Sequence, residues 1–218
     1  MHLLELFSGT GSMGRAFMAE GWQVTSVDIR ADLTPTILCD VMKLDVGMLS
    51  GLPPVDLLWA SPPCTEYSCA RTRAKKPRDL LGSDAMVGKV IELADELFCY
   101  YLIENPFTGL LKTREVISQC PHMHVLDYCK YGSPYRKRTA IWTNSPWQPA
   151  RELCCYDCAA SEGRRHSSRA QRCPAKGQRW TLEQLYAMPP ELCAEIAGWN
   201  WQGLNPTLYK SGFRWRND

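Results

Sequence analysis

Apolar and polar positions in the first hundred residues fall into short blocks. Residues 2–7 alternate loosely and stop at Ser8-Gly9-Thr10-Gly11, which reads as a strand running into a glycine turn. Met13–Glu20 carries a helical pattern, and Gly21 fits its stop. Residues 22–28 form a second strand ending on Asp28, and residues 36–40 a third ending on Asp40. Residues 55–60 are nearly all apolar, as a strand buried on both faces should be. Residues 84–99 place Met86, Val87, Val90, Ile91, Ala94, Leu97 and Phe98 at helical spacing, and residues 100–104 are a fifth strand. Strands that alternate with helices predict a parallel sheet covered on both faces.

In such sheets ligands sit at the carboxyl ends of the strands. The predicted strand ends are Ser8–Gly11, Asp28, Asp40, Ser61–Cys64 and Glu104–Pro106, so the unusual residue groups of the first half share one edge. Near residue 145 the pattern changes. Residues 151–179 are rich in cysteine and arginine and poor in aliphatics, whereas 180–199 return to a helical pattern. The expected organisation is a catalytic domain over 1–145 and a small region over 146–218.

A net charge of +2 does not by itself mark a nucleic-acid binder, although local clustering can. No apolar run approaches the roughly 20 residues that span a bilayer, and the N-terminus does not resemble a signal peptide. A cytoplasmic monomer is the default expectation. Eleven cysteines are many for a reducing compartment. Most are scattered among apolar segments as small core residues. Cys155, Cys158, His166 and Cys173 are instead spaced as four soft ligands, and Cys154 is an alternative to Cys155. They fit a closed tetrahedral zinc site that would organise a segment unable to fold alone. Arg164, Arg165 and Arg169 are interleaved with them as nucleic-acid contacts.

Glycines 9 and 11 allow close backbone approach to a ligand, and the helix beyond offers free N–H groups to a carboxylate or phosphate. Gly14 nearly completes a dinucleotide fingerprint, so a nicotinamide or flavin enzyme competes at this point. Asp28 suits the ribose hydroxyls of either cofactor type, and Asp40 an adenine amino group. Ser61-Pro62-Pro63-Cys64 follows the most hydrophobic strand, and two prolines stiffen the turn that presents the thiol. A thiolate beside an acid, here Glu104, with a cation over the base, is the kit needed to activate carbon 5 of cytosine. The thiolate adds to carbon 6, the acid engages N3, and carbon 5 becomes enamine-like.

Leu6-Phe7-Ser8-Gly9-Thr10-Gly11-Ser12, Val27-Asp28, Cys39-Asp40, Ser61-Pro62-Pro63-Cys64, Glu104-Asn105-Pro106 and Tyr135-Arg136-Lys137-Arg138-Thr139, in that order, resemble the cytosine-5 DNA methyltransferases. The resemblance covers about residues 3–144 and fades beyond 145, and the short remainder is similar to compact phage or environmental members. It implies an α/β fold with a doubly wound, mostly parallel sheet of the class I S-adenosylmethionine-dependent methyltransferase type. It implies S-adenosylmethionine on Phe7, Ser8, Gly9, Thr10 and Gly11, with Asp28, Ile29, Asp40, Val41 and Pro62 completing the pocket. It implies Cys64 as nucleophile, Glu104 on N3, and Arg136 and Arg138 as the basic pair, with Arg138 near the base. Residues 65–84 would be a loop closing over double-stranded DNA, with Arg71, Arg73, Lys75 and Lys76 on phosphates. RNA as substrate, or a non-catalytic DNA-binding protein with this fold, fits many of the same residues.

Overall fold

The computed structural model describes residues 1–71, 74–170 and 180–203. Strands β1 (His2–Leu6), β2 (Gln23–Asp28), β3 (Ile37–Leu38), β4 (Leu57–Ala60) and β5 (Tyr100–Pro106) are mutually parallel. Strand β6 (His122–Asp127) is followed by the short β7 (Tyr135–Arg136) and by β8 (Arg138–Thr143). The main sheet has seven strands in the order β3-β2-β1-β4-β5-β8-β6, and β8 runs antiparallel to both neighbours. The mostly parallel sheet is as expected. Strands β6 and β8 lay beyond the apolar blocks that the pattern resolved, because β6 is half-exposed and carries His122 and His124.

Helices cover both faces. Helix α1 (Ser12–Ala19) packs Met13 and Phe17 against Leu3, Leu57, Trp59 and Leu102 on one side. Helix α2 (Leu80–Leu97) packs Val87, Val90 and Ile91 against Leu4, Leu58, Tyr101 and Ile103 on the other. It starts at Leu80 rather than near 84, because the Asp79 side chain accepts the Gly82 N–H at 2.8 Å and caps it.

Beyond β8, β9 (Ser161–Glu162) and β10 (Arg165–His166) form a small hairpin, and β11 (Ser168–Arg169) pairs with β7. The 180–199 pattern resolves into two helices, α3 (Leu182–Tyr186) and α4 (Pro190–Ala197). Pro189-Pro190 separates them, since Pro190 is suited to the first turn of a helix and not to an interior. Leu192 and Ile196 of α4 join Trp147 and Trp201 in the same core as α1. Part of the 146–218 segment therefore completes the layer over the main sheet. No helix among the described residues is long and apolar enough to cross a membrane.

Candidate active site

The β1–α1 turn is built on left-handed backbone at alternate positions. Phe7, Gly9 and Gly11 have φ of 52°, 51° and 64°. Glycine adopts this conformation freely, whereas a bulky Phe7 does so only when its surroundings impose it. Asp28, at the end of β2, holds the turn: its Oδ2 accepts the Gly9 N–H at 2.9 Å and its Oδ1 the Arg30 N–H at 3.0 Å.

At the N-terminus of α1 an acid competes with any ligand anion. Glu5, pointing up from β1, takes the backbone N–H groups of Met13 and Gly14. Gly14 is required for this approach, since a Cβ there would lie 2.5 Å from the Glu5 carboxylate. Burial pushes Glu5 up to about 7, and the two N–H groups and Arg15 offset only part of it. An acid at this helix end disfavours a pyrophosphate, and so disfavours the dinucleotide reading of the glycine turn.

A cavity of about 400 Å³ opens along the carboxyl edge of the sheet, within the range for small-molecule sites. Phe7, Ser8, Gly9 and Thr10 line it from the turn, Asp28 and Ile29 from β2, and Asp40 and Val41 from the segment after β3. Pro62, Cys64 and Glu104 line its other end. Of the residues expected at the cofactor, Gly11 alone is not part of the lining; it stands at the helix cap. Glu5, Lys137, Tyr186 and Met188 also line the cavity and were not expected.

Cys64 and Glu104 are presented by rigid supports. The Asn105 amide donates to the Pro62 carbonyl at 3.0 Å, tying the end of β5 to the Pro-Pro turn. Glu104 accepts hydrogen bonds from the hydroxyls of Tyr128, at 3.1 Å, and Thr139, and the Lys137 ammonium stands 3.8 Å away. Burial and the negative charge of Glu104 push the Cys64 thiol up, while Lys137 pulls it down. Behind Cys64, buried Tyr67 donates to Asp84 at 2.8 Å, and Asp84 is gripped by the Arg114 guanidinium at 2.7–3.2 Å. This anchors the base of the loop that follows the nucleophile.

The basic motif departs from expectation. Arg136 and Arg138 do not reach the cavity; both pair with buried Asp127, at 3.1–3.2 Å and 2.8–3.0 Å. Side chains alternate across a strand. Arg138 sits opposite Asp127 in the β6–β8 register, whereas Lys137 shares the parity of Thr139 and faces Glu104. Among the described residues, Lys137, not Arg136 or Arg138, is the cation beside Cys64.

The loop and knuckle residues divide. Lys75, Lys76, Arg164 and Arg165 are exposed. Arg71 is instead paired with Glu66, and its side chain is only 16% exposed. Arg73, Cys173 and the side chain of Arg169 lie outside the described residues. Among the expected metal ligands, Cys158 and His166 come together, but Cys155 is exposed and stays apart. Cys154 replaces it, because its N–H bonds Asp127 at 3.1 Å and turns that residue inward. Cys129, from the turn after β6, is the fourth member; it lies too far upstream for local ligand spacing to reveal it.

Glu5 yields a test. Its folded-state value lies above that of an ordinary glutamate, so its contribution to stability is present at low pH and is lost as pH rises to about 7. Glu5→Gln should flatten the stability profile between the usual carboxylate range and pH 8, with a gain of at most ~3 kcal/mol at the alkaline end. Urea melts across pH measure this; an unchanged slope would remove Glu5 as its source.

No family model matches the chain. A protein of Frog virus 3 (isolate Goorha) named "Probable DNA (cytosine-5)-methyltransferase" is 32% identical over 219 residues, covering 90% of this chain and 98% of that one. Among solved structures, the S. pombe Dnmt2 methyltransferase aligns at 18% identity with a TM-score of 0.48, over 68% of this chain and 53% of its own. A Dnmt2 variant from Spodoptera frugiperda aligns at 19% identity and 0.47, over 76% and 57%. The chain thus spans little more than half the length of these two structures.

Proposed function

The chain belongs to the cytosine-5 methyltransferase family, and on that premise we propose that it methylates carbon 5 of a cytosine flipped out of duplex DNA, through a covalent bond to Cys64. The observation that carries this reading is the convergence of Cys64, Glu104 and Lys137 at one end of a cavity whose other end is the β1–α1 turn. The lining fits S-adenosylmethionine, which would supply the electrophilic methyl group. Asp28 has lone pairs left for ribose hydroxyls after its two backbone bonds. Acidic Glu5 suits a cationic ligand better than a pyrophosphate.

The chain's own residues then divide the work. The Cys64 sulfur adds to carbon 6 as the thiol proton passes by way of Glu104 to N3, so the ring charge is neutralised as carbon 5 becomes nucleophilic. Tyr128 and Thr139 fix the Glu104 carboxylate for this contact. Lys137 stabilises the thiolate before attack and the charge that develops in the base afterward. Once carbon 5 has taken the methyl group, a base removes its proton, and the freed electron pair re-forms the ring double bond as the carbon 6–sulfur bond breaks. Exposed Lys75, Lys76, Arg164 and Arg165 suit phosphate contacts on either side of the flipped base.

Trapping tests the reading. The wild-type chain, S-adenosylmethionine and a duplex containing 5-fluorocytosine should give a denaturation-resistant adduct that maps to Cys64. An adduct formed on RNA but not on DNA would overturn the DNA assignment. No adduct on either, with the cofactor bound, would overturn the chemistry.

Lys137 should be separable from the rest. Lys137→Met is expected to lower methyl transfer roughly 100-fold and to move the alkylation profile of Cys64 to higher pH. Lys137→Arg should restore most of both. Iodoacetamide labelling across pH reads the second effect; a profile indifferent to the substitution would exclude Lys137 as the thiolate's partner.

A further inference from the structure

We propose that Cys129, Cys154, Cys158 and His166 bind one structural Zn²⁺ that clamps the arginine-bearing hairpin to the edge of the catalytic sheet. Their ligand atoms all lie within 4.8 Å of one another. His166 Nε2 is 3.5 Å from Cys154 Sγ and 3.4 Å from Cys158 Sγ. With Zn–S of about 2.3 Å and Zn–N of about 2.0–2.1 Å, a tetrahedron places sulfur and nitrogen about 3.5 Å apart. The two histidine–cysteine spacings are therefore those of ligands around an ion, and the remaining ligand atoms lie close enough to share it. Four protein ligands leave no open position, which is the mark of a structural site.

The surroundings require such a clamp. Among residues 148–170 whose burial is described, only Cys154 and Ser168 are buried, so this segment has no apolar core of its own. Its fold rests on polar tethers. Asp127 accepts the Cys154 N–H, and Lys130, next to Cys129, pairs with Asp157 at 2.6 Å. The Tyr156 N–H points at Cys154 Sγ at 3.3 Å, and Ser161 Oγ lies 3.1 Å from Cys158 Sγ, so both thiolates would have outer partners. Two ligands come from the irregular segment before β9, one from β10, and one from the turn that follows β6. An ion there joins the hairpin bearing Arg164 and Arg165 to the strand that ends on Asp127.

The site differs from the cofactor cavity, which none of the four ligands lines. Its existence does not depend on what the enzyme methylates, so its failure and that of the cytosine reading are distinguishable.

The full chain, purified without chelator, should carry one zinc per molecule. Thiol labelling followed by peptide mapping should find Cys129, Cys154 and Cys158 protected and Cys155 and Cys69 reactive. A chelator should expose the first three and open residues 148–170 to protease. Cobalt substitution should give tetrahedral bands with thiolate charge transfer. Cys129→Ser should lose the metal, and Cys155→Ser should keep it. A folded chain without stoichiometric metal would overturn the proposal. So would protection of Cys155 with Cys129 reactive, a result that needs no variant to fold.

Discussion

Cys64→Ser should lower methyl transfer by at least ~10⁴-fold while leaving S-adenosylmethionine binding intact, and it should abolish the fluorocytosine adduct. The loss is large because a serine hydroxyl is barely ionised at any pH the fold tolerates. The native thiol is already held up by burial and by Glu104, with Lys137 as its compensating charge. In the free enzyme, kcat/KM should therefore climb with pH through the thiol's titration rather than level off in the neutral range. Cofactor binding should survive because the Pro-Pro turn is fixed by the Asn105 amide and not by the thiol. Equilibrium binding and single-turnover rates would separate the two. A serine variant within a hundredfold of wild type would show that bond formation at Cys64 is not on the path.

Asp127→Ala should be the most destabilising single change near the site, at roughly 3–5 kcal/mol. The carboxylate is fully buried and gathers two guanidinium groups and the Cys154 N–H. Removing it strands both arginines, partly buried, without a counter-charge. Burial alone would push Asp127 up, but the bonds from Arg138, Arg136 and Cys154 outweigh it and hold the carboxyl below the usual range. With a depressed value, its contribution is present at neutral pH and is lost only as pH falls through the folded-state titration. Chemical denaturation of wild type and variant at neutral and acid pH measures this. The gap should narrow as acid protonates Asp127 in the wild type; a gap constant with pH would assign the loss to packing alone.

The carboxyl edge of the sheet was legible from sequence because each strand there ends on a distinctive group. Asp28, Asp40, Cys64 and Glu104 need only the strand boundaries to be placed together. Lys137 was not legible in the same way. In the run from Tyr135 to Thr139, the residue that faces Glu104 depends on the register of β8 against β5 and β6, a long-range property. Three basic residues in succession give the right chemistry to either parity. Glu5 was hidden for another reason: an acid inside an apolar strand says nothing of the helix end it caps. The choice between Cys154 and Cys155 is again one of side-chain direction. Cys129 is one of the cysteines scattered among apolar segments, where a single thiol reads as a small core residue.

Helix α4 and its partners bear on how the chain acquires its shape. The face of the sheet formed by Leu3, Leu57, Trp59 and Leu102 is covered by α1 from early in the chain and by Leu192, Ile196 and Trp201 from late in it. Tyr186 and Met188 also close part of the cavity that begins at Phe7. During synthesis, the sheet can pair long before this cover emerges, and a greasy surface then waits for it. A nascent chain stalled before α4 should bind hydrophobic-surface chaperones and fail to retain cofactor. Loop closure across most of the sequence makes this last docking slow, so the rate at which the enzyme becomes competent is set by its far end rather than by the segment that holds its reactive thiol.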